Sequence, residues 1–288
     1  MTRFQLTNLH RLTHVGNVRT NNEDALYTQG RIIAVADGMG GHEYGEIASH
    51  FLLHMLDEHT RFGARPSKHA IERAIELTEH ALGSSTYTYD SGTTLAAAYT
   101  LEDQATPHVH VSWAGDSRVY VWDHTTHTLT QCSVDESQGQ ELIDTGVPPH
   151  DVPERLHHTL TNAVSAASAH AAAREPYVSN RARHATIDVN PNDIIMVCSD
   201  GVTDMVDNDQ LEGIITRYHD RLDVAQEVII DHALAAGGRD NASVACAVVT
   251  EVADDTTLPP PRELWLNTVD VEIGYRVSQL EEHANIYG

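Results

Sequence analysis

Positive charge is scarce in this chain: 18 Lys and Arg stand against 42 Asp and Glu in 288 residues, a formal charge of −24. A surface of that sign repels a nucleic-acid backbone and an anionic membrane face, so neither is expected as a partner. Cysteine is also rare. Cys132, Cys198 and Cys246 are three, an odd number, and widely spaced, which argues against a disulfide framework. Cys198 and Cys246 fall inside apolar runs and read as core thiols in a reducing compartment. No apolar run is long enough to span a bilayer. The opening MTRFQLTNLHRLTH shows neither the charged-then-apolar pattern nor the small-residue cleavage site of a secretory signal, and a soluble, cytoplasmic protein is expected.

What the chain does have is 41% hydrophobic residues, enough for a sizeable core. Short apolar runs at Ile32–Ala36, Thr94–Leu101, His108–Ala114, Val119–Trp122, Ile194–Ser199 and Ser243–Val249 are bounded by Gly, Asp, Asn or Pro, as buried strands are. Between the first two, mostly apolar residues recur at helical spacing through Ile47, Phe51, Met55 and His59, then through Ile71, Ala74, Ile75, Thr78, Ala81 and Leu82. Pro66 divides them into two amphipathic helices. A further helical pattern, Leu222, Ala225, Ile229, His232, Ala233 and Ala236, stops at Gly237 and Gly238. Strands with helices grouped between them imply an α+β layered fold. Ala163–Ala173 reads as irregular, Asp254–Arg262 as an acidic, proline-containing linker, and the alternation Val269, Val271, Ile273, Tyr275, Val277 as a strand. The 20 histidines are scattered over helices and loops rather than grouped as ligands, and His124–His127 fits a hairpin tip.

Apolar runs that end directly in Asp followed by Gly or Asn recur. Asp37 closes IIAVADGMGG, Asp200 closes IIMVCSDG, and Asp240 lies in GGRDNAS before an apolar strand. Strand ends bring carboxylates to the rim of a sheet, and glycine lets the backbone approach a ligand. Neighbouring carboxylates repel one another unless a cation or a proton intervenes. Oxygen ligands without a thiolate pair favour Mg²⁺ or Mn²⁺ over Zn²⁺. A single Asp-Gly is more often a turn; the ordered set is what points to a metal centre.

These motifs, in order, resemble the type 2C (PPM) metal-dependent serine/threonine protein phosphatases of the bacterial subgroup. They are GNVRTNNEDA (Gly16–Ala25), VADGMGGHEYGEIAS (Val35–Ser49), SGTT (Ser91–Thr94), WAGDSRVYVW (Trp113–Trp122), VCSDGVTDMV (Val197–Val206) and GGRDNASV (Gly237–Val244). The resemblance covers Leu9–Val249 and implies a central β-sandwich of two antiparallel sheets flanked by pairs of α-helices. Taken with the proline-containing and alternating segments beyond it, the chain divides into a phosphatase catalytic domain over 1–252, a linker over 253–262 and a C-terminal extension over 263–288 that lies outside the resemblance. The resemblance further implies that Asp24, Asp37, Asp200 and Asp240 hold two Mn²⁺ or Mg²⁺ ions, with Asp37 bridging. Glu23 and the Gly38 carbonyl would contribute directly or through water, and Asp116 would help hold a weaker third ion. Arg19 would bind the substrate phosphate through its planar fork of donors. His42 is the nearest candidate proton donor to the leaving oxygen, with a metal-held water the alternative, because Met39 stands where eukaryotic members carry a His after Asp-Gly.

The activity implied is attack of a metal-activated water on phosphoserine or phosphothreonine in proteins, opposing a serine/threonine kinase. A phosphate-binding scaffold and a small phosphate-ester hydrolase on the same fold are the other readings. Two departures lie around the family's substrate-facing flap: Glu136 replaces the His of an Asp-His-Ser segment, and Ser165 replaces a Gly.

Overall fold

The computed structural model describes residues 2–40, 44–60, 65–84, 88, 90–101, 106–166 and 181–253. In chain order the strands are β1 (Thr2–His14), β2 (Asp24–Gln29), β3 (Ile32–Met39), β4 (Gly92–Thr93), β5 (Leu95–Tyr99), β6 (His108–Ala114), β7 (Arg118–Trp122), β8 (Leu129–Gln131), β9 (Val164–Ser165), β10 (Arg183–Asp188), β11 (Ile194–Cys198) and β12 (Ala242–Ala253). The helices are α1 (Gly45–Thr60), α2 (Lys68–Ser84), α3 (Gln138–Asp144), α4 (Glu154–His157), α5 (Asp200–Thr203), α6 (Asn208–Tyr218) and α7 (Leu222–Ala235), with a 3₁₀ turn at Pro149–Asp151.

Strand alternation builds the layers. The order β1-β12-β11-β7-β8 makes one antiparallel sheet, and β10-β6-β5-β3 with β2, β4 and β9 makes the other. Ile33, Val35, Ala96, Ala98, Val109 and Val111 of the second sheet meet Val119, Ile195, Val197, Ala245 and Ala247 of the first in the space between them. Their sequence neighbours point the other way, as the period of two requires. Ile32, Ala34 and Ala97 pack under α1 and α2, while Tyr120, Trp122, Met196 and Cys246 pack under α6 and α7. The result is the expected α/β/β/α sandwich. The three cysteines are free thiols, and Cys198 and Cys246 are buried in strands as read.

Several details differ from the sequence reading. β3 continues past Ala36 to Met39 because Gly38 and Met39 pair with Thr93 and Gly92. Val164–Ser165, placed in an irregular segment, pairs with Gly92–Thr93. His232 on α7 and Ala236 just after it are exposed rather than part of the buried face. The expected stop does hold: Gly237 N–H donates to the Leu234 carbonyl and Gly238 N–H to that of Ala233, both glycines having positive φ. The tip between β7 and β8 carries His124 and His127, which lie against Trp122. Residues 167–173, the linker after Ala253 and the alternating segment at 269–277 lie outside the described residues.

Candidate metal centre

The centre begins with hairpin register. β2 and β3 pair so that Asp24 stands directly opposite Asp37, while Leu26 stands opposite Val35. Leu26, Ile33 and Val35 belong to the core between the sheets. Alternation therefore directs both carboxylates to that inner side, at the end of the sandwich. Gly38 fits here because a Cβ would lie 2.2 Å from the Gly45 carbonyl oxygen, a distance no side chain tolerates.

Two loops bring in the remaining groups. Asn17 N–H donates to the Gly238 carbonyl at 2.7 Å, and the Asn241 side chain donates to the Val15 and Asn21 carbonyls while accepting from Glu23 N–H. That stitching sets Arg19 against Asp240, with Nη2 2.7 Å from Oδ2. Asp200 opens α5 directly after β11, and Ser199 just before it donates to Asp24 Oδ2 at 2.8 Å. Asp116 occupies the turn between β6 and β7, where Gly115 takes a φ of 100° and fits closely over Thr94.

The electrostatics are those of crowded acids. Burial pushes Asp24, which is 1% exposed, up to about 7, and Asp200 and Asp240 add to it against hydrogen bonds from Ser243 and Ser199. Burial, then Asp24, Asp200, Asp116 and Asp240, holds Asp37 well above the ordinary carboxylate range. Asp116 is pushed up to about 8 by burial, Asp200 and Asp135. Asp200 is raised by burial and Asp240, and Glu23 is raised to about 7 by burial and Glu46. Meanwhile Asp24 Oδ1 and Asp200 Oδ1 are buried without a hydrogen-bond partner. Buried acceptors that repel one another and lack donors are what a cation satisfies, and an all-oxygen set fits hard divalent ions.

The structure thus gathers Asp24, Asp37, Asp116, Asp200 and Asp240 into one electrostatic group with Glu23 at its edge, and seats Arg19 on Asp240. His42 lies outside the described residues. Sequence reasoning passed over Asp204 and His158. One ligand atom from each of His158, Asp200 and Asp204 falls within 4.8 Å of the others. Asp204 follows Asp200 by one helical turn, a spacing that could have been noticed. His158 follows α4 and reaches the centre from 42 residues upstream of Asp200, with no local signal to announce it.

The profile of the family described as Protein phosphatase 2C matches residues 16–237. The chain belongs to that family. Among its relatives, the serine/threonine protein phosphatase PstP of Mycobacterium tuberculosis is 31% identical over 259 residues, covering 85% of this chain and 45% of PstP. The chain therefore spans a little under half of that protein. The serine/threonine phosphatase stp of Listeria monocytogenes is 29% identical over 248 residues, covering 81% of this chain and 92% of stp. Among solved structures, the PPM Ser-Thr phosphatase MsPP of Mycobacterium smegmatis, in complex with cacodylate, superposes with a TM-score of 0.70 at 27% identity. It covers 84% of this chain and 98% of MsPP. The catalytic domain of PstP with two manganese ions gives a TM-score of 0.69 at 25% identity, covering 87% of this chain and 100% of that domain. The sandwich of this protein phosphatase 2C member is the fold of those relatives.

Proposed function

We propose that this protein phosphatase 2C member hydrolyses phosphoserine and phosphothreonine in proteins with the help of two Mn²⁺ or Mg²⁺ ions and a weaker third. The observation that carries the reading is the convergence of separately positioned carboxylates around two buried oxygens that lack partners. The names of the relatives and the manganese in PstP's catalytic domain support it. Asp24, Asp37, Asp200 and Asp240 would hold the ion pair, with Glu23 and the Gly38 carbonyl beside them, and Asp116 would serve the third ion. When bound, such ions supply Lewis acidity toward phosphoryl oxygens and lower the pKa of water.

The chain's own residues do the rest. Arg19, exposed and hydrogen-bonded to Asp240, would offer its remaining guanidinium N–H groups to the substrate phosphate, and the contact with Asp240 restrains its side chain. The hydrogen bonds from Asn241 and Asn17 hold the Arg19 loop and the Asp240 loop at a fixed separation, which is the positioning this chemistry needs. The leaving oxygen would take its proton from His42 or from a metal-held water. Phosphoproteins are the substrates, a serine/threonine kinase is the opposing enzyme, and nucleic acid and membrane are disfavoured by charge. The free thiols support a reducing, cytoplasmic setting.

Phosphate release from a phosphothreonine peptide and from an aryl phosphate, each with and without Mn²⁺, tests this. Metal-dependent release from both is expected. Full turnover in a thoroughly chelated preparation would overturn the metal assignment, and turnover of the aryl phosphate alone would overturn the protein-substrate assignment.

A further inference from the structure

The segment from Ser137 to Thr161, which carries α3 and α4, leaves the sandwich and returns to it at one place. Gln138 N–H donates to the Thr159 carbonyl and Thr161 N–H to the Glu136 carbonyl, both at 2.8 Å, and Ser137 bridges to Leu160. The returning limb, just before the stem, meets the aspartate cluster, with His158 Nδ1 3.5 Å from Asp204 Oδ2, and Glu154 Oε1 lies 4.0 Å from Arg239 Nη1.

Glu136 sits where the segment departs. Its Oε2 accepts from Gly115 N–H at 3.2 Å and from Asn162 Nδ2 at 2.8 Å, and its Oε1 accepts from Arg183 Nε at 3.0 Å. The main chain repeats the link, since Glu136 N–H donates to the Gly115 carbonyl at 3.0 Å. Asn162 also donates to the Arg181 carbonyl at 3.1 Å. One side chain, 12% exposed, thus joins the residue before Asp116, the returning end of the segment and the start of β10. Three donors converging on one point require a group that only accepts, at two atoms; a neutral histidine offers a single acceptor nitrogen and could not serve them all.

We infer that Glu136 is a positioning residue, fixing the stem of the Ser137–Thr161 segment to the turn that carries Asp116 so that the segment stands over the centre and forms part of the surface that receives a phosphopeptide. This rests on the phosphatase reading above.

The test pairs kinetics with hydrogen exchange in Glu136→Ala and Glu136→Gln. In the alanine variant all three accepted bonds are lost. Amide exchange over 137–162 is then expected to speed up, and KM for a phosphothreonine peptide to rise ~10-fold with a smaller change in kcat and a smaller loss on an aryl phosphate. Glutamine can keep the acceptor toward Gly115 and Asn162 and give up only the one toward Arg183, which is 70% exposed and free to turn to water. Its KM effect should stay near ~2–3-fold, and it carries the test should the alanine variant not fold. Unchanged exchange over 137–162, or an equal loss on both substrates, overturns the inference. If the wild type turns over neither substrate, the phosphatase reading has failed, and the exchange measurement alone then decides whether Glu136 fixes the stem.

Discussion

Among the described residues, two groups of largely buried carboxylates have been treated in opposite ways. Between α2 and β10, Glu79 is paired with Arg181 Nε at 2.6 Å and Glu72 with His184 Nε2 at 2.7 Å. Glu72 also accepts from the Arg181 backbone N–H at 3.1 Å. Burial pushes Glu72 up, but those hydrogen bonds outweigh it and hold the group below the ordinary carboxylate value. At the other group, Asp24, Asp37, Asp116 and Asp200 have chiefly one another for charged neighbours. The first group brings its own cations and is a clasp between a helix and a strand. The second leaves oxygens unanswered, which marks it as a place for something from outside. The clasp even has the spacing of a catalytic triad, with Ser112 Oγ 2.8 Å from His184 Nδ1 and His184 reaching Glu72. Ser112 has no exposed surface, so no substrate can reach it. Geometry alone does not distinguish the two groups; compensation and access do.

The contrast is broken most directly by Asp200→Asn, which keeps side-chain shape and removes one negative charge. Phosphopeptide turnover should fall by at least ~10³-fold while the circular dichroism spectrum is kept, because a metal centre contributes several kcal/mol to the transition state. Wild-type kinetics in that variant would place the centre elsewhere.

Next in size is a comparison of the two arginines. Arg19→Ala should cost ~10²–10³ in rate, as one lost oxyanion donor does, with little change in melting temperature. Arg181→Ala should leave turnover within a few-fold and cost about 2 kcal/mol of stability at pH 8 by chemical denaturation, because it strands a buried carboxylate. The cost should shrink at pH 6. Burial already pushes Glu79 up to about 7 against the pull of Arg181, so it can take up a proton instead. Exchanged phenotypes would mean that the assignments of clasp and centre are reversed.

The smallest expected effect is on stability without metal. Asp24 and Asp116 are raised from 3.8 to about 7 and about 8, so between those values the folded chain keeps protons that the unfolded chain has lost. Stability from this source is complete below about pH 4 and is lost as pH rises through 7 and 8. The melting temperature of a metal-free preparation should therefore fall by ~5 °C or more between pH 5 and pH 8. Saturating Mn²⁺ should remove the fall, since a bound ion requires the deprotonated carboxylates. A flat metal-free profile would mean the carboxylates are not crowded.

Much of the fold and of the centre is legible in the amino-acid sequence. Buried strands announce themselves by composition, and the carboxylates by their place beside Gly at strand ends. What escapes has physical reasons. Arg183–Asp188 forms an edge strand with much exposed surface, so it lacks the apolar run that betrays a central one. The helix over Asn208–Tyr218 carries Leu211, Ile214, Ile215 and Tyr218 at helical spacing and a capping box from Asp207 to Gln210, yet so few apolar residues make it easy to pass over. The reach of His158 to Asp204 and the bonds of Glu136 to Gly115 and Asn162 depend on how distant segments meet, and no local pattern encodes that.

The pairing of Asp24 with Asp37 carries one more consequence. A hairpin that closed one residue out of step would still hold its backbone hydrogen bonds, but it would turn one of the two acids toward the helices and away from its partner. Such a chain would be folded in outline and unable to bring its charges to one point. Ion binding by this protein is therefore also a measure of whether two strands have counted their residues correctly, and a misaligned molecule would identify itself by failing to gain stability when metal is supplied.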